Sequence, residues 1–102
     1  MISVIATIDL NPGTREAFLA EFHQIVPLVR AEQGCLEYFP AIDLASEIGA
    51  QPPLREHTVT VVEKWESLDA LRAHLVAPHM VAYRPKVKDF VVKTTIQVLS
   101  PA

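Results

Sequence analysis

Four side chains that can do acid–base chemistry or bind an aromatic ring lie close together in EKWESLDALRAHLVAPHM, residues 63–80. The two-residue repeat of a strand puts Glu63 and Trp65 on the same face. A carboxylate buried beside an indole should have a raised pKa, as a general base that works near neutral pH requires. A salt bridge between Glu63 and a Lys or Arg at the sheet edge is the structural alternative.

The remaining side chains of this stretch indicate a pocket for a flat ligand. Trp65 offers a wall on which an aromatic ring can stack, although core packing is the common role of a single Trp. His74 lies near the apolar stripe of the next predicted helix. His79 opens the turn after it, and Tyr83 follows one helical turn later. A neutral imidazole beside an apolar pocket is a natural proton acceptor.

The spacing of the two histidines argues against a metal site. His74 and His79 are five residues apart with Pro78 between them, whereas a helical metal pair is separated by four residues. No Cys or carboxylate is expected to complete a ligand set with them. We therefore predict no metal.

Two weaker candidates for substrate binding lie on other predicted strand positions. His57 and Glu63 are an even number of residues apart on one predicted strand, so their side chains should lie on the same face of the sheet. Tyr38 and Phe39 point to opposite faces of the second strand, so at most one of them can face a pocket.

Composition excludes several classes of protein. The chain has 102 residues, which is the length of one domain, and its nine basic and twelve acidic residues give a net charge of −3. No basic cluster could neutralise several phosphates, so we expect no nucleic-acid partner. No apolar run approaches the ~20 residues that span a bilayer, so we expect no membrane insertion. The single Cys35 cannot form an internal disulfide, which favours a cytoplasmic location.

Hydrophobic periodicity predicts the elements that position these side chains. The pattern indicates strands at residues 2–10, 35–43, 57–66 and 89–99, and helices at 17–31 and 68–77. Pro27 should kink the first helix or end its regular part, and Pro85 should stop a short helical turn that begins after Pro78. Residues 44–56 form a loop longer than most, which is a candidate lid or dimer arm.

The order of the elements predicts an α+β fold. A β-α-β-β-α-β chain with right-handed crossovers gives a ferredoxin-like domain, with a four-stranded antiparallel sheet and both helices on one face. The opposite sheet face carries Val62 and other side chains that are not polar enough for water. We therefore expect a homodimer through this face, with a barrel-like core.

Three segments resemble the antibiotic-biosynthesis-monooxygenase superfamily, most closely its small bacterial quinol monooxygenases: GCLEYFPAID, VEKWESLDALRAHLVAPHM and the final strand ending in IQVL. The resemblance covers nearly the whole chain, residues 1–102, as a single domain. It implies a dimeric α+β barrel and a cofactor-independent oxygenase that uses no metal, flavin or haem. The implied partners are O2 and a small aromatic substrate of the quinol type.

The resemblance also implies where the ligand binds. Relatives place their cavity between sheet and helices, which carries the site over to Trp65, His74, His79 and Tyr83, with Glu63 as base or orienting group. Which residue handles the proton stays open at this point.

Other activities of the same superfamily remain as alternatives. Haem-degrading members depend on an Asn in the first strand, and the positions around Ala6 carry none. Isomerases of phosphorylated signalling sugars share the Pro-His element after the second helix. They need cations for the phosphate, for which Arg72, Arg84 and Lys86 are available here. The third alternative is a non-catalytic dimer, such as a stress protein that only holds quinones.

Overall fold

The computed structural model describes all of residues 1–102 and contains four strands and three helices. In chain order these elements are β1 Ile2–Leu10, α1 Arg15–Arg30, β2 Cys35–Ala41, β3 Thr58–Trp65, α2 Leu68–Leu75, α3 Pro78–Val87 and β4 Val91–Leu99. No helix is both long enough and apolar enough to pass through a membrane.

The four strands form one antiparallel sheet in the order β2-β3-β1-β4. This order confirms the predicted ferredoxin-like arrangement, in which the first and third strands are central. In the register, Glu63 on β3 lies opposite Val4 on β1 and opposite Tyr38 on the edge strand β2. The pairing therefore brings Tyr38 and Glu63 side by side on the same face of the sheet.

The side chains of β1 alternate between the two faces of the sheet, because successive residues of a strand point in opposite directions. Val4, Ala6 and Ile8 are buried, and they belong to the core that also includes Phe18 and Phe22 of α1. The inner face of the sheet is the face with these side chains. Glu63 and Trp65 occupy it as predicted, since they share the parity of the buried β3 residues.

The face of the sheet away from the helices, called the outer face below, is partly apolar. Val62 lies at its centre, paired with Ile5 on β1 and with Phe39 on β2. All three side chains are only half-buried. The sequence thus correctly assigned Val62 to this face, where Ile5 of β1 also points.

The turn between α1 and β2 packs closely against the start of α2. Gly34 has a φ of +83°, as expected for a left-handed helix end, and a Cβ built there would lie 2.7 Å from the Cβ of Ala70. The Gly34 carbonyl accepts a hydrogen bond of 2.8 Å from the Glu66 backbone. Only a residue without a side chain allows this approach. The turn therefore carries Glu32 to the side of α2.

The prolines affect the helices less than the sequence predicted. Helix α1 continues through Pro27 to Arg30, and α3 continues through Pro85 to Val87. The prediction that Pro85 stops the helix is wrong. Pro85 is exposed, so its ring faces solvent and does not disturb the core. The buried Tyr83 and Val87 on either side hold the last turn against the core.

The long connection between β2 and β3 contains neither helix nor strand, as predicted for residues 44–56. Its two ends are held together by Arg55 and Asp43. The guanidinium donates to both carboxylate oxygens, at 2.9 and 2.8 Å, and the Arg55 backbone N–H donates to the same carboxylate at 2.9 Å. This contact closes the loop at its base and leaves the apolar side chains Leu44 and Ile48 exposed.

Candidate active site

A cavity of about 450 Å³ lies between the inner face of the sheet and the helices. Twelve of its 17 lining residues are hydrophobic, and every strand and helix contributes at least one. Its walls include Ala6, Ile8, Phe18, Phe22, Val61, Met80, Val87 and Ile96. Apolar cavities of this size with a few polar groups commonly bind small organic molecules.

Four polar side chains from the middle of the fold line this cavity: Tyr38, Glu63, His74 and Tyr83. All four belong to buried residues. Their polar atoms are the two phenol hydroxyls, the carboxylate and one imidazole nitrogen. They come from β2, β3, α2 and α3, so only the folded chain brings them together.

Glu63 is buried and has no cationic partner. Its Oε1 accepts a hydrogen bond of 2.9 Å from the Trp65 indole N–H. Burial is the main cause that raises its pKa to about 7, opposed by the Trp65 hydrogen bond and reinforced by the negative charge of Glu32. The direction agrees with the prediction from the sequence. The alternative salt bridge does not form, since the neighbouring Lys64 pairs with Glu37 on the outer face, at 3.6 Å.

Trp65 does not line the cavity, which corrects the expected stacking wall. The indole is completely buried, and its ring centroid lies 4.7 Å from that of His74. Trp65 lies at the end of β3, two residues beyond Glu63, where the His74 ring of α2 covers it. The tryptophan therefore supports Glu63 and His74 from behind, and Phe22 and Tyr38 provide aromatic wall in its place.

His74 is held by a residue that the sequence did not single out. Its Nδ1 lies 2.8 Å from Oε2 of Glu32, and Nε2 of His79 lies 2.7 Å from the same oxygen. Glu32 precedes Gly34 in the turn after α1 and is 42 residues from His74, so no local pattern could connect the two. The expectation that no carboxylate joins the two histidines is wrong.

These three side chains form a compact group, called the Glu32–His74–His79 cluster below. Each offers one atom that can bind a metal, and these atoms lie within 4.8 Å of one another. The cluster is therefore the part of the protein with the donor set of a metal site. Its exposure increases outward, from 3% for the His74 side chain to 13% for Glu32 and 20% for His79.

The second ring nitrogen of His74 faces the cavity. Only Nδ1 of this ring has a hydrogen-bond partner. Every fully buried polar side-chain atom of the protein has such a partner, so Nε2 is not fully buried. Nε2 must therefore reach open space, and the cavity is the open space that His74 lines. Burial lowers the pKa of His74 against the opposing effect of Glu32. The imidazole is thus a neutral acceptor at the cavity wall.

The two tyrosines offer neutral phenol hydroxyls to a ligand at neutral pH, each able to donate a hydrogen bond. Burial raises the pKa of Tyr38 and of Tyr83 well above the ordinary value, so both phenols keep their protons. The Tyr38 ring stacks on Phe22 at a centroid distance of 5.6 Å, which fixes its orientation. Neither hydroxyl has a hydrogen-bond partner in the protein, and both are open to the cavity by the same reasoning as for His74.

Two further residues selected from the sequence, besides Trp65, lie outside the cavity. His79 borders a separate shallow groove between α1 and α3 and reaches the site only through Glu32. His57 is exposed in the turn before β3, where its carbonyl accepts from the Leu10 backbone. The prediction that His57 lies on the inner face beside Glu63 is wrong, because the strand begins one residue later, at Thr58.

Fold and site together define the class of this protein: a ferredoxin-like domain with an apolar cavity between sheet and helices, into which a few acid–base side chains point. The sequence comparisons give the family. The model of the antibiotic biosynthesis monooxygenase family matches residues 1–86, and the chain belongs to this family.

Individual relatives are similar over nearly their whole length. The chain is 41% identical to the probable quinol monooxygenase YgiN of Escherichia coli (strain K12), over 99% of this chain and 98% of the relative. Its structure is similar to that of PA3566 from Pseudomonas aeruginosa, with a TM-score of 0.81 and 27% identity over 99% and 93% of the two chains. Rv0793 from Mycobacterium tuberculosis gives a TM-score of 0.78, also at 27% identity, over 99% and 94%.

Proposed function

We propose that this protein is a cofactor-independent monooxygenase that oxidises a quinol-type aromatic with O2. The single observation that carries the proposal is the composition of the cavity. An apolar space of about 450 Å³ presents one imidazole acceptor, one carboxyl group with a raised pKa and two phenol donors. The similarity to YgiN, whose name gives it as a probable quinol monooxygenase, supports the same substrate class.

The reaction needs no further reductant, because the quinol can supply all the electrons. A quinol and O2 give a hydroxyquinone and water. One oxygen atom enters the ring, and the other leaves as water with the two hydrogens that the quinol loses. Closed-shell aromatics react slowly with triplet oxygen, whereas the quinol anion donates an electron readily. The task of the protein is therefore to bind the ring, favour the anion and exclude bulk water.

His74 is the group that we assign to proton transfer from the quinol. Its Nε2 faces the cavity, and Nδ1 is held at 2.8 Å by Glu32, so the ring is fixed with its acceptor nitrogen toward the substrate. Glu63 is the second acid–base group, oriented by the Trp65 N–H. Tyr38 and Tyr83 bind the substrate oxygens as donors. His79 acts only through Glu32, and His57 has no place in this scheme.

A homodimer through the outer face completes the proposal. Val62, Ile5 and Phe39 form an apolar centre on that face, which a partner subunit would cover. The β4 side chain Leu99, which pairs with the outward-pointing Ser3 of β1, is also exposed, by 43%. A two-fold axis through this face would bury the same patch of each copy. The unpaired, half-buried Cys35 supports a reducing compartment, the cytoplasm.

The decisive experiment is oxygen consumption by chelator-treated protein with a reduced menadione-type quinol, corrected for autoxidation. We expect uptake well above the non-enzymatic rate. The variant His74→Gln should lower kcat by roughly a hundredfold, the range of a general base. The variant His57→Gln is the matched control, an exposed histidine outside the cavity, and should leave the rate unchanged.

Each other result points to a defined alternative. Saturable quinone binding without oxygen uptake would replace the enzyme by a binding protein. Equal rates for wild type and His74→Gln would remove His74 from the chemistry. Turnover of a phosphorylated sugar in place of a quinol would make the protein an isomerase. That reaction would use the two cationic residues that line the cavity, Arg84 and Lys88.

A further inference from the structure

The Glu32–His74–His79 cluster has a property that the proposed reaction does not use. The two imidazole nitrogens, Nδ1 of His74 and Nε2 of His79, both lie within 2.8 Å of one carboxylate oxygen. With Glu32 as a carboxylate, that oxygen can only accept, so both nitrogens carry a hydrogen and both N–H bonds point to the same place. Two imidazoles that converge on one point, beside a carboxylate, are already arranged as ligands.

We propose that this cluster is a site for a divalent transition-metal ion of the zinc type. Zn²⁺ prefers imidazole nitrogens and carboxylate oxygens at about 2.0–2.2 Å. An ion bound by both nitrogens would replace the two N–H hydrogens near the present position of the Glu32 oxygen. The Glu32 oxygen must withdraw from the point where the two rings converge, and its side chain, which lies in a turn and is 13% exposed, is able to do so. The second carboxylate oxygen has no hydrogen bond and is free to bind as well.

The burial of the cluster fits a site that exchanges its ion with solvent. The His79 side chain is 20% exposed and gives the ion a way in, while the His74 side chain is 3% exposed and anchors the inner side. Three protein ligands leave one position of a tetrahedral ion for water. The ligand charges suit a divalent cation, because the negative charge of Glu32, the only acidic residue among the three ligands, offsets part of the positive charge of the ion.

An ion bound at this cluster would lie outside the cavity but would change the His74 group that faces it. A neutral imidazole has one hydrogen, which lies on Nδ1 of His74 while Glu32 accepts from it. When an ion takes Nδ1, that hydrogen must move to Nε2, the nitrogen that faces the cavity. No proton is gained or lost by the ring, but the acceptor becomes a donor. If His74 is the proton acceptor of the proposed function, on which this step rests, the bound ion inhibits turnover.

The test is a titration of chelator-treated protein with Zn²⁺ by calorimetry, and with Co²⁺ by its visible absorption. We expect one ion per chain with a Kd in the micromolar range or below. The variants Glu32→Gln and His79→Gln should each weaken binding by roughly tenfold or more, as loss of one ligand requires. The variant His23→Gln is the matched control, because His23 is an exposed histidine outside the cluster. Circular dichroism checks that each variant is folded.

The outcomes separate this proposal from the proposed function. Affinity that is unchanged in Glu32→Gln and His79→Gln, or that falls as much in His23→Gln, would overturn the metal site. These measurements need no substrate, so they decide the site even if no quinol is oxidised. With an active enzyme, Zn²⁺ should inhibit oxygen uptake and excess chelator should restore it. Stoichiometric binding at this site without inhibition would refute the switch at Nε2.

Discussion

Glu63 gives the most quantitative prediction, because its carboxyl group has a raised pKa inside the fold. The pKa rises from 4.5 to about 7, mainly by burial. The folded protein therefore keeps a proton that the unfolded chain releases at lower pH. By linkage, the free energy of unfolding falls as the pH rises through the interval between these two values, and it levels off above the higher one.

The size of this effect follows from the shift. One pKa unit corresponds to about 1.4 kcal/mol, so the ionisation of Glu63 should cost the folded protein about 3 kcal/mol by about pH 8. The variant Glu63→Gln has no group to titrate but keeps an oxygen that accepts from the Trp65 indole. We expect its stability relative to the wild type to increase by about 3 kcal/mol between pH 4.5 and about pH 8.

The assay is urea denaturation of both proteins across this pH range at one protein concentration. The difference between the two curves isolates Glu63, since other titrating groups are common to both. His74 is one such group. Its lowered pKa stabilises the fold above the ordinary histidine value, and this contribution is lost as the pH falls. Parallel stability curves for the two proteins would show that Glu63 is hydrated and has an ordinary pKa, and would refute the argument from burial.

Three further predictions concern other parts of the structure. Gly34→Ala should destabilise the protein by about 2 kcal/mol or more in urea denaturation, since it combines a positive φ with a contact of 2.7 Å. Gly13→Ala, with a φ of +80° but nothing within 4 Å, should lose about 1 kcal/mol, and equal losses would contradict the close approach. Trp65→Phe removes the donor that lowers the pKa of Glu63, so a pH titration followed by NMR should place that pKa higher than in the wild type. Val62→Lys should convert a dimer into monomers in light scattering, and a monomeric wild type would contradict the proposed dimer.

The order and type of the secondary-structure elements could be predicted from local sequence patterns. Alternating apolar residues fixed which strand side chains point inward, because a strand has a two-residue repeat, and this alone put Glu63 on the inner face. Ser67, just before α2, is a residue type that favours a helix start, and its side chain accepts from the Ala70 backbone. The order of strands and helices then left the ferredoxin-like arrangement as the simplest topology. Each of these properties depends on residues that are near one another in the chain.

The site was predicted only in part, for the opposite reason. His74, Tyr38, Tyr83 and Glu63 were candidates from their sequence positions, and all four line the cavity. Another candidate was Trp65, which is buried behind the cavity, because periodicity assigns a face but not the depth of a side chain along it. Pro85 was misjudged since the effect of a proline depends on what faces its ring.

The connections between the acid–base groups depend on contacts that form only in the folded chain. Glu32 lies in a turn that carries no motif, and it meets His74 only because Gly34 lets the turn approach α2. The sheet register places Tyr38 beside Glu63 in the same way. Contacts between residues that are distant in the chain depend on packing and register, and no local pattern records them. Most residues that could take part in the chemistry were therefore identified from the sequence. Their distances and orientations are set by the tertiary fold.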